Sequence, residues 1–317
     1  MEVIHNKQIS ISISEPLVIT MGVYDGVHAG HQHILQHLTQ YATQINAKTL
    51  LLTFYPHPRK VLYPEQEIFL LNSLNERLEK LAEQNLDYVW VYPFDKEFSQ
   101  LSAVEFVQKI IVEQLHAHTI FVGYDHKFGK NREGSYSAFK ELGEKYGFQV
   151  IEIPAYRVDE VNISSTKIRN ALLEGDIQTA NIFLKYPYTL SGIVIKGKQI
   201  GRRLGFPTAN LKLFTDEKLI PKSGVYISKV NLNNQIYHGI TNIGQRPTLE
   251  NTSHLHIETH IFNFHEDIYD QTIQVFPLVY IRQEQKFNSL DELSSQIEKD
   301  KQFALEYITK MQKNKGR

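Results

Sequence analysis

The chain has 317 residues, 42% hydrophobic and 22% charged, with a net charge of −1 and no cysteine. That length suits two domains, and the neutral balance argues against a dedicated nucleic-acid binder. Disulfides and thiolate metal sites are excluded, no apolar run approaches the ~20 residues of a membrane span, and the start shows no secretion signal, so a cytoplasmic protein acting on small molecules is expected.

The first apolar run, Leu17-Val18-Ile19-Thr20, reads as a buried strand. Ile34, Leu35, Leu38, Ala42 and Ile45 carry the spacing of one helix face. Between them lies Met21-Gly22-Val23-Tyr24-Asp25-Gly26-Val27-His28-Ala29-Gly30-His31. A strand, a glycine-rich turn and a helix start make a phosphate site, because unpaired N–H groups and the positive dipole end face the turn. Gly22, Gly26 and Gly30 let the backbone bend and an anion approach, and His28 and His31 add imidazole donors. Four further strands follow: Thr49 to Phe54, ending in Tyr55-Pro56-His57-Pro58; Tyr88 to Tyr92; Thr119 to Gly123; and Phe148 to Ile153. Capping boxes at Ser73…Glu76 and Ser102…Glu105 start intervening helices. Five strands alternating with helices predict a doubly wound parallel sheet, with ligands beyond the C-terminal strand ends. Hydroxyls at Ser164, Ser165 and Thr166 open the next helix, where Arg169 lies one turn in; capping and phosphate binding are both open readings there.

After a short helix from Asp176 to Leu184, Lys185-Tyr186-Pro187 breaks the chain and the texture changes. Residues 1–184 carry 16 Lys+Arg against 22 Asp+Glu, and residues 185–317 carry 18 against 13, so the halves differ by charge as well. Alternating strands from Tyr188, Gly224, Gln235, His256 and Thr272, with Asn233-Asn234 as a hairpin turn, predict a small antiparallel barrel. A helix from about Leu290 to Met311 closes it. Residues 192–204 read as a flexible glycine-containing loop.

The histidine stretch resembles the His-x-Gly-His signature of the nucleotidyltransferase superfamily, and in its longer form Gly-Val-Tyr-Asp-Gly-Val-His it is similar to the prokaryotic FAD synthetases. Ser165-Thr166…Arg169 match the superfamily's Ser-Ser/Thr-x-x-Arg turn, and Val122-Gly123-Tyr124-Asp125…Phe128-Gly129 resemble the flavin branch. Gly201-Arg202-Arg203-Leu204-Gly205-Phe206-Pro207-Thr208-Ala209-Asn210, Asn242-Ile243-Gly244-Gln245-Arg246-Pro247-Thr248 and Glu258 resemble the riboflavin kinase signature in order. The resemblance covers nearly the whole chain. It implies a bifunctional enzyme: residues 185–317 phosphorylate riboflavin to FMN, and residues 1–184 adenylylate FMN to FAD.

By that resemblance, His28, His31 and Arg169 serve the phosphates of ATP, assisted by Gly22, Tyr24, Asp25, Gly30, Asp125, Ser165 and Thr166. Glu258 is the base for the ribityl hydroxyl, Thr208 and Asn210 hold Mg²⁺ and ATP, and Gly201, Arg202 and Lys198 cover the nucleotide. Phe54, Pro56, Phe128, Arg246 and Arg282 border flavin. Tyr55, His126, Leu249 and Gln283 depart from the usual residues and bear on the flavin pockets. The rival reading is an adenylyltransferase for another phosphorylated acceptor with a flavin-binding regulatory barrel; Thr208, Asn210 and Glu258 argue against it, since binding alone needs neither metal nor base. A monomer or weak homo-oligomer is expected.

Overall fold

The structure is a computed structural model that describes residues 1–8, 14–123, 127–158, 161–197, 199–246 and 254–315. The chain divides into two compact units, Met1–Ser165 and Thr166–Arg317.

In the first unit, β1 (Glu2–Ile4), β2 (Leu17–Met21), α1 (Ala29–Gln44), β3 (Lys48–Tyr55), α2 (Pro58–Leu62), α3 (Leu74–Ala82) and β4 (Tyr88–Pro93) are followed by α4 (Lys96–Ser99) and α5 (Ala103–Phe106). Then come β5 (Thr119–Gly123), α6 (Tyr136–Tyr146), β6 (Gln149–Ile153) and a short antiparallel pair, β7 (Arg157–Val158) with β8 (Val161–Asn162). The main sheet is parallel in the order β1-β4-β3-β2-β5-β6. It has six strands where the sequence predicts five, because β1 is an edge strand of three residues, too short for an alternation signal. The predicted helix after Ser102 also differs: α5 passes into a π-helical segment, Val107–Val112.

Why strands β2 to β5 read as solid apolar runs is visible in the packing. Leu17, Ile19, Met21, Leu50, Leu52, Trp90, Ile120 and Val122 enter one core with Phe106, Ile110 and Phe139. The alternate residues Val18, Leu51, Val89, Val91 and Phe121 enter a second core with Leu35, Leu38 and Leu81 of α1 and α3. Both faces of the parallel sheet are covered by helices, so period-two alternation separates two cores rather than core from solvent. The strand order reverses direction at β2, which puts the loop after β2 at the switch point of the sheet.

The second unit opens with α7 (Ser165–Glu174, shared with the first unit at its first residue) and α8 (Ile177–Leu184). Strands β9 (Leu190–Ile195), β10 (Ala209–Leu213), β11 (Gly224–Leu232), β12 (Gln235–Arg246), β13 (His254–Ile261) and β14 (Thr272–Arg282) close into a barrel in the order β10-β13-β12-β11-β14-β9. A short helix, α9 (Ile200–Arg203), precedes β10, and α10 (Leu290–Lys315) follows β14. The unit boundary lies upstream of the break at Lys185 because α7 and α8 pack on the barrel. Lys222 N–H donates to Leu172 O at 3.0 Å, Asn181 Nδ2 donates to Pro277 O at 3.4 Å, and Tyr188 N–H donates to Asn181 Oδ1 at 2.7 Å.

One expectation needs correction. Residues 192–204 are not one loop: Gly192 to Ile195 belong to β9, and Ile200–Arg203 are helical. Ala209 and Asn210, the end of the second signature, begin β10, which pairs with both β9 and β13. The hairpin at Asn233-Asn234 stands as read, with both residues at positive φ (50° and 64°). The inner face of α10 places Ala304 and Ile308 against Val225, Ile227, Ile240 and Phe262.

Candidate active sites

The loop after β2 is held in an unusual backbone path. Gly22 has φ 156° and Gly26 φ 85°, and Tyr24 and Val27 also take positive φ. His28 ends the loop as the N-cap of α1, its Nδ1 accepting from His31 N–H at 3.3 Å. The His28 and His31 rings stack at 3.6 Å, and Tyr24 stacks on the far side of His31 at 4.4 Å. A Cβ on Gly30 would sit 3.3 Å from the His28 ring, so the absent side chain is what lets that ring lie flat over the helix start. Two imidazoles are thereby fixed where the first-turn N–H groups and the helix dipole already favour an anion.

His31 is half-buried, and its Nδ1 is wholly enclosed with no hydrogen-bond partner. Burial, then the neighbouring His28 and Arg77, hold its pKa well below the ordinary histidine value, so the ring is neutral at pH 7. Tyr24 is placed beneath this pair rather than beside an open surface: its ring is buried and its hydroxyl lies 3.2 Å from Thr20 Oγ1. Asp25 is also buried, and its carboxylate accepts from Leu71 N–H and Asn72 N–H, both at 3.1 Å. These two residues therefore shape the loop from behind.

Ser165 comes to the same loop, donating its hydroxyl to Asp25 O at 2.9 Å. Thr166 and Arg169 follow it on α7. Phe54 and Pro56 lie at the C-terminal end of β3; Phe54 packs edge-on to Phe94 at 5.7 Å, while Pro56 is exposed after a cis peptide bond. Phe128 is more committed than its sequence context implied, stacked on Phe139 at 3.6 Å within the core. Asp125, with His126, lies outside the described residues.

Sequence reasoning missed Arg77. It is 5% exposed on α3, and its guanidinium donates Nη1–H to Val23 O at 2.6 Å and Nη2–H to Phe54 O at 3.2 Å. The available signal was an arginine on the helix face shared by Leu74, Leu78 and Leu81, where a solvated charge does not belong.

In the barrel, a cleft of about 290 Å³ is lined by Arg202, Thr208, Asn210, Thr259, Asp267 and Tyr269, among others. Asn210 packs directly against Gly197, where any Cβ would collide with its amide, and a Cβ on Gly201 would strike the Phe206 carbonyl. Pro207 O, one residue before Thr208, accepts from His260 Nδ1 at 2.9 Å; a carbonyl has no proton to give, so His260 carries its own on Nδ1. Burial holds His260 below the ordinary histidine pKa, with that bond partly opposing the shift.

Glu258 on β13 is the register partner of Asn210 on β10 and of Asn242 on β12. Directly opposed residues share a face, with Cβ atoms about 5 Å apart. The face continues to His256 and Glu284. Asn242 Nδ2 donates to Glu284 Oε1 at 2.9 Å, and His256 Nε2 lies 4.0 Å from the same oxygen. Arg246 ends β12, with its side chain outside the described residues. Lys198 and Leu249 also lie outside them. Arg282, at the end of β14, directs its guanidinium at Asp300 of α10 (2.7–3.1 Å) and at Gln283 O (3.0 Å), so its side chain ties β14 to the terminal helix.

Comparison with known proteins finds relatives of both units. The FAD synthetase family profile matches residues 10–167, and the riboflavin kinase profile matches residues 184–308. The bifunctional riboflavin kinase/FMN adenylyltransferase of Haemophilus influenzae is 36% identical over 95% of this chain and 97% of its own. The protein of the same description from Escherichia coli K12 is 36% identical over 96% of each chain. A solved structure described as a macrolide-efflux protein from Streptococcus pneumoniae superposes with a TM-score of 0.88 at 30% identity, covering 95% of this chain and 98% of its own. Efflux is said of that protein; among the described residues here no helix is long and apolar enough to cross a membrane. With a parallel-sheet unit and a barrel that match the two family profiles in order, and relatives matched nearly end to end, the chain belongs to the bifunctional riboflavin kinase/FMN adenylyltransferase family.

Proposed function

We propose that the barrel phosphorylates riboflavin to FMN and that the parallel-sheet unit, with the Ser165-Thr166…Arg169 turn, adenylylates FMN to FAD, both from ATP. The observation that carries this reading over a binding-only barrel is the register of Asn210 beside Glu258. A regulatory flavin site needs a pocket, whereas a carboxylate next to a phosphate-directed amide suits phosphoryl transfer.

In the kinase step, the ribityl hydroxyl oxygen attacks the γ-phosphorus of ATP, the bond to the bridging oxygen breaks, ADP leaves, and Glu258 accepts the hydroxyl proton. Thr208 and Asn210 offer neutral oxygens, which fits a magnesium ion bound mainly through nucleotide phosphates and water. Such an ion supplies charge neutralisation at the phosphates; Thr208, Asn210 and Arg202 supply orientation.

In the adenylyl step, a phosphate oxygen of FMN attacks the α-phosphorus of ATP, and pyrophosphate departs. No side chain forms a bond to the substrate. His28, His31 and the first-turn N–H groups of α1 stabilise the charge that develops, and Arg169 receives the leaving pyrophosphate. The two chemistries suit a cysteine-free enzyme of the cytoplasm, acting as a monomer or weak homo-oligomer. The deciding assay is incubation with riboflavin, ATP and Mg²⁺, followed by chromatography. Wild-type protein should yield FMN and FAD, and His28→Ala combined with His31→Ala should stop at FMN, because each lost donor costs roughly 10²–10³ in rate. FAD output within a few-fold of wild type would remove the histidines from the mechanism.

A further inference from the structure

Arg77 is a buried cation that neither proposed reaction uses. One guanidinium bridges the carbonyl ends of two neighbouring strands: Val23 O belongs to the histidine loop after β2, and Phe54 O to the segment of β3 that leads into 55–58. Thr53 Oγ1 donates to the same Val23 carbonyl at 3.0 Å, so this peptide is tied to β3 twice. The third donor, Nε, is enclosed and has no hydrogen-bond partner. Burying a cation with an unmet donor is costly, and a structural purpose alone would be served by an apolar residue of similar volume. The charge faces a site: Asp25 lies near enough to favour it, and His31 near enough to be disfavoured by it.

We propose that Arg77 is a positioning residue for adenylyl transfer, yoking the phosphate loop to the end of β3 so that the two move as one body. The segment beyond Phe54 is on the flavin side of the proposed site, so the yoke fixes the acceptor phosphate relative to the imidazoles. Misplacement of reacting groups by about 1 Å costs up to 10²-fold in rate without touching the chemistry. The proposal rests on the adenylyltransferase reading of this unit.

The test uses the full-length protein and three substitutions: Arg77→Met, Arg77→Gln and Arg77→Lys. Riboflavin phosphorylation, which belongs to the other unit, reports folding. Arg77→Met should keep kinase turnover and lower kcat/KM for FMN adenylylation by about 10–10²-fold. Arg77→Lys, which keeps a charged donor, should recover most of that loss. The groups facing His31 are Tyr24 and His28, stacked on its ring, with the Arg77 charge near enough to act on it. Loss of the Arg77 charge should raise the His31 titration midpoint, read by NMR of ring-labelled histidine. If Arg77→Met does not fold, Arg77→Gln is read against the same outcomes. Adenylylation within threefold of wild type, or an unmoved His31 titration, overturns the proposal. So does a lysine variant as slow as the methionine one. Wild-type protein that makes no FAD would instead refute the adenylyltransferase reading, and the titration would still decide what Arg77 does to His31.

Discussion

Replacing Asp300 by alanine tests whether Arg282 is a flavin contact or the latch of the terminal helix. Asp300 is 3% exposed, and its carboxylate accepts from Arg282 Nε and Nη2 and from Gln296 Nε2 at 2.9 Å. The Arg282 side chain is 17% exposed, so the pair is largely withdrawn from water. Removing one partner of such a pair leaves a buried charge and costs about 3–5 kcal/mol; partial exposure of the guanidinium puts this case at the lower end, about 3 kcal/mol. Asp300→Asn keeps an acceptor and loses the charge, which should cost about half as much. For a unit of this size each kcal/mol lowers Tm by about 2–4 °C, so Asp300→Ala should melt the barrel about 6–12 °C earlier. Differential scanning calorimetry with riboflavin titrations completes the measurement. Arg282→Met should be similarly destabilising, and the double variant should lose less than the sum of the two, because the stranded charge is gone. A melting temperature within about 2 °C of wild type for Asp300→Ala would refute the latch. So would weakened flavin binding in Arg282→Met at unchanged stability.

Three further outcomes are expected. Glu258→Gln should lower riboflavin phosphorylation by about 10²–10⁴ while sparing riboflavin binding and FMN adenylylation; near-normal FMN production would exclude the carboxylate as the base. Gly197→Ala places a methyl against the Asn210 amide and should raise KM for ATP in the kinase step only, measured at saturating riboflavin. His31 sits below its unfolded pKa of about 6.5, so the unfolded chain binds a proton that the folded one refuses. Stability of the first unit should therefore fall as pH drops below about 6.5, and His31→Asn should flatten that dependence by up to about 1.4 kcal/mol per pH unit; denaturant midpoints at pH 7.5 and 5.5 that shift equally in both proteins would contradict it.

Much of the fold was legible before any coordinates because its signals are local. Apolar runs such as Leu50-Leu51-Leu52 announce a strand buried on both faces, and Ser73 with Glu76 forms its capping box within one helical turn. His28 and His31 are readable for the same reason: a strand end, glycines and a helix start lie in one continuous stretch. β1 was not legible, since three residues acquire strand character only by pairing with β4. Likewise β10 is established as a strand by its pairing with β9 and β13.

Side-chain destinations depended on tertiary structure still more. The order of residues names Arg282 and Phe128 but says nothing of Asp300 or Phe139, which approach them from distant segments and claim their donors or faces. Arg77 is the reverse case, an unremarked helix residue made central by two carbonyls from different strands. Asn210, Asn242 and Glu258 fall in three separate motifs, and only the antiparallel register sets them on one face. Sequence fixes what is decided within a turn or a strand. Hydrogen bonds and register between distant segments decide which charge is buried and which carboxylate stands beside which amide, because those depend on the path of the whole chain.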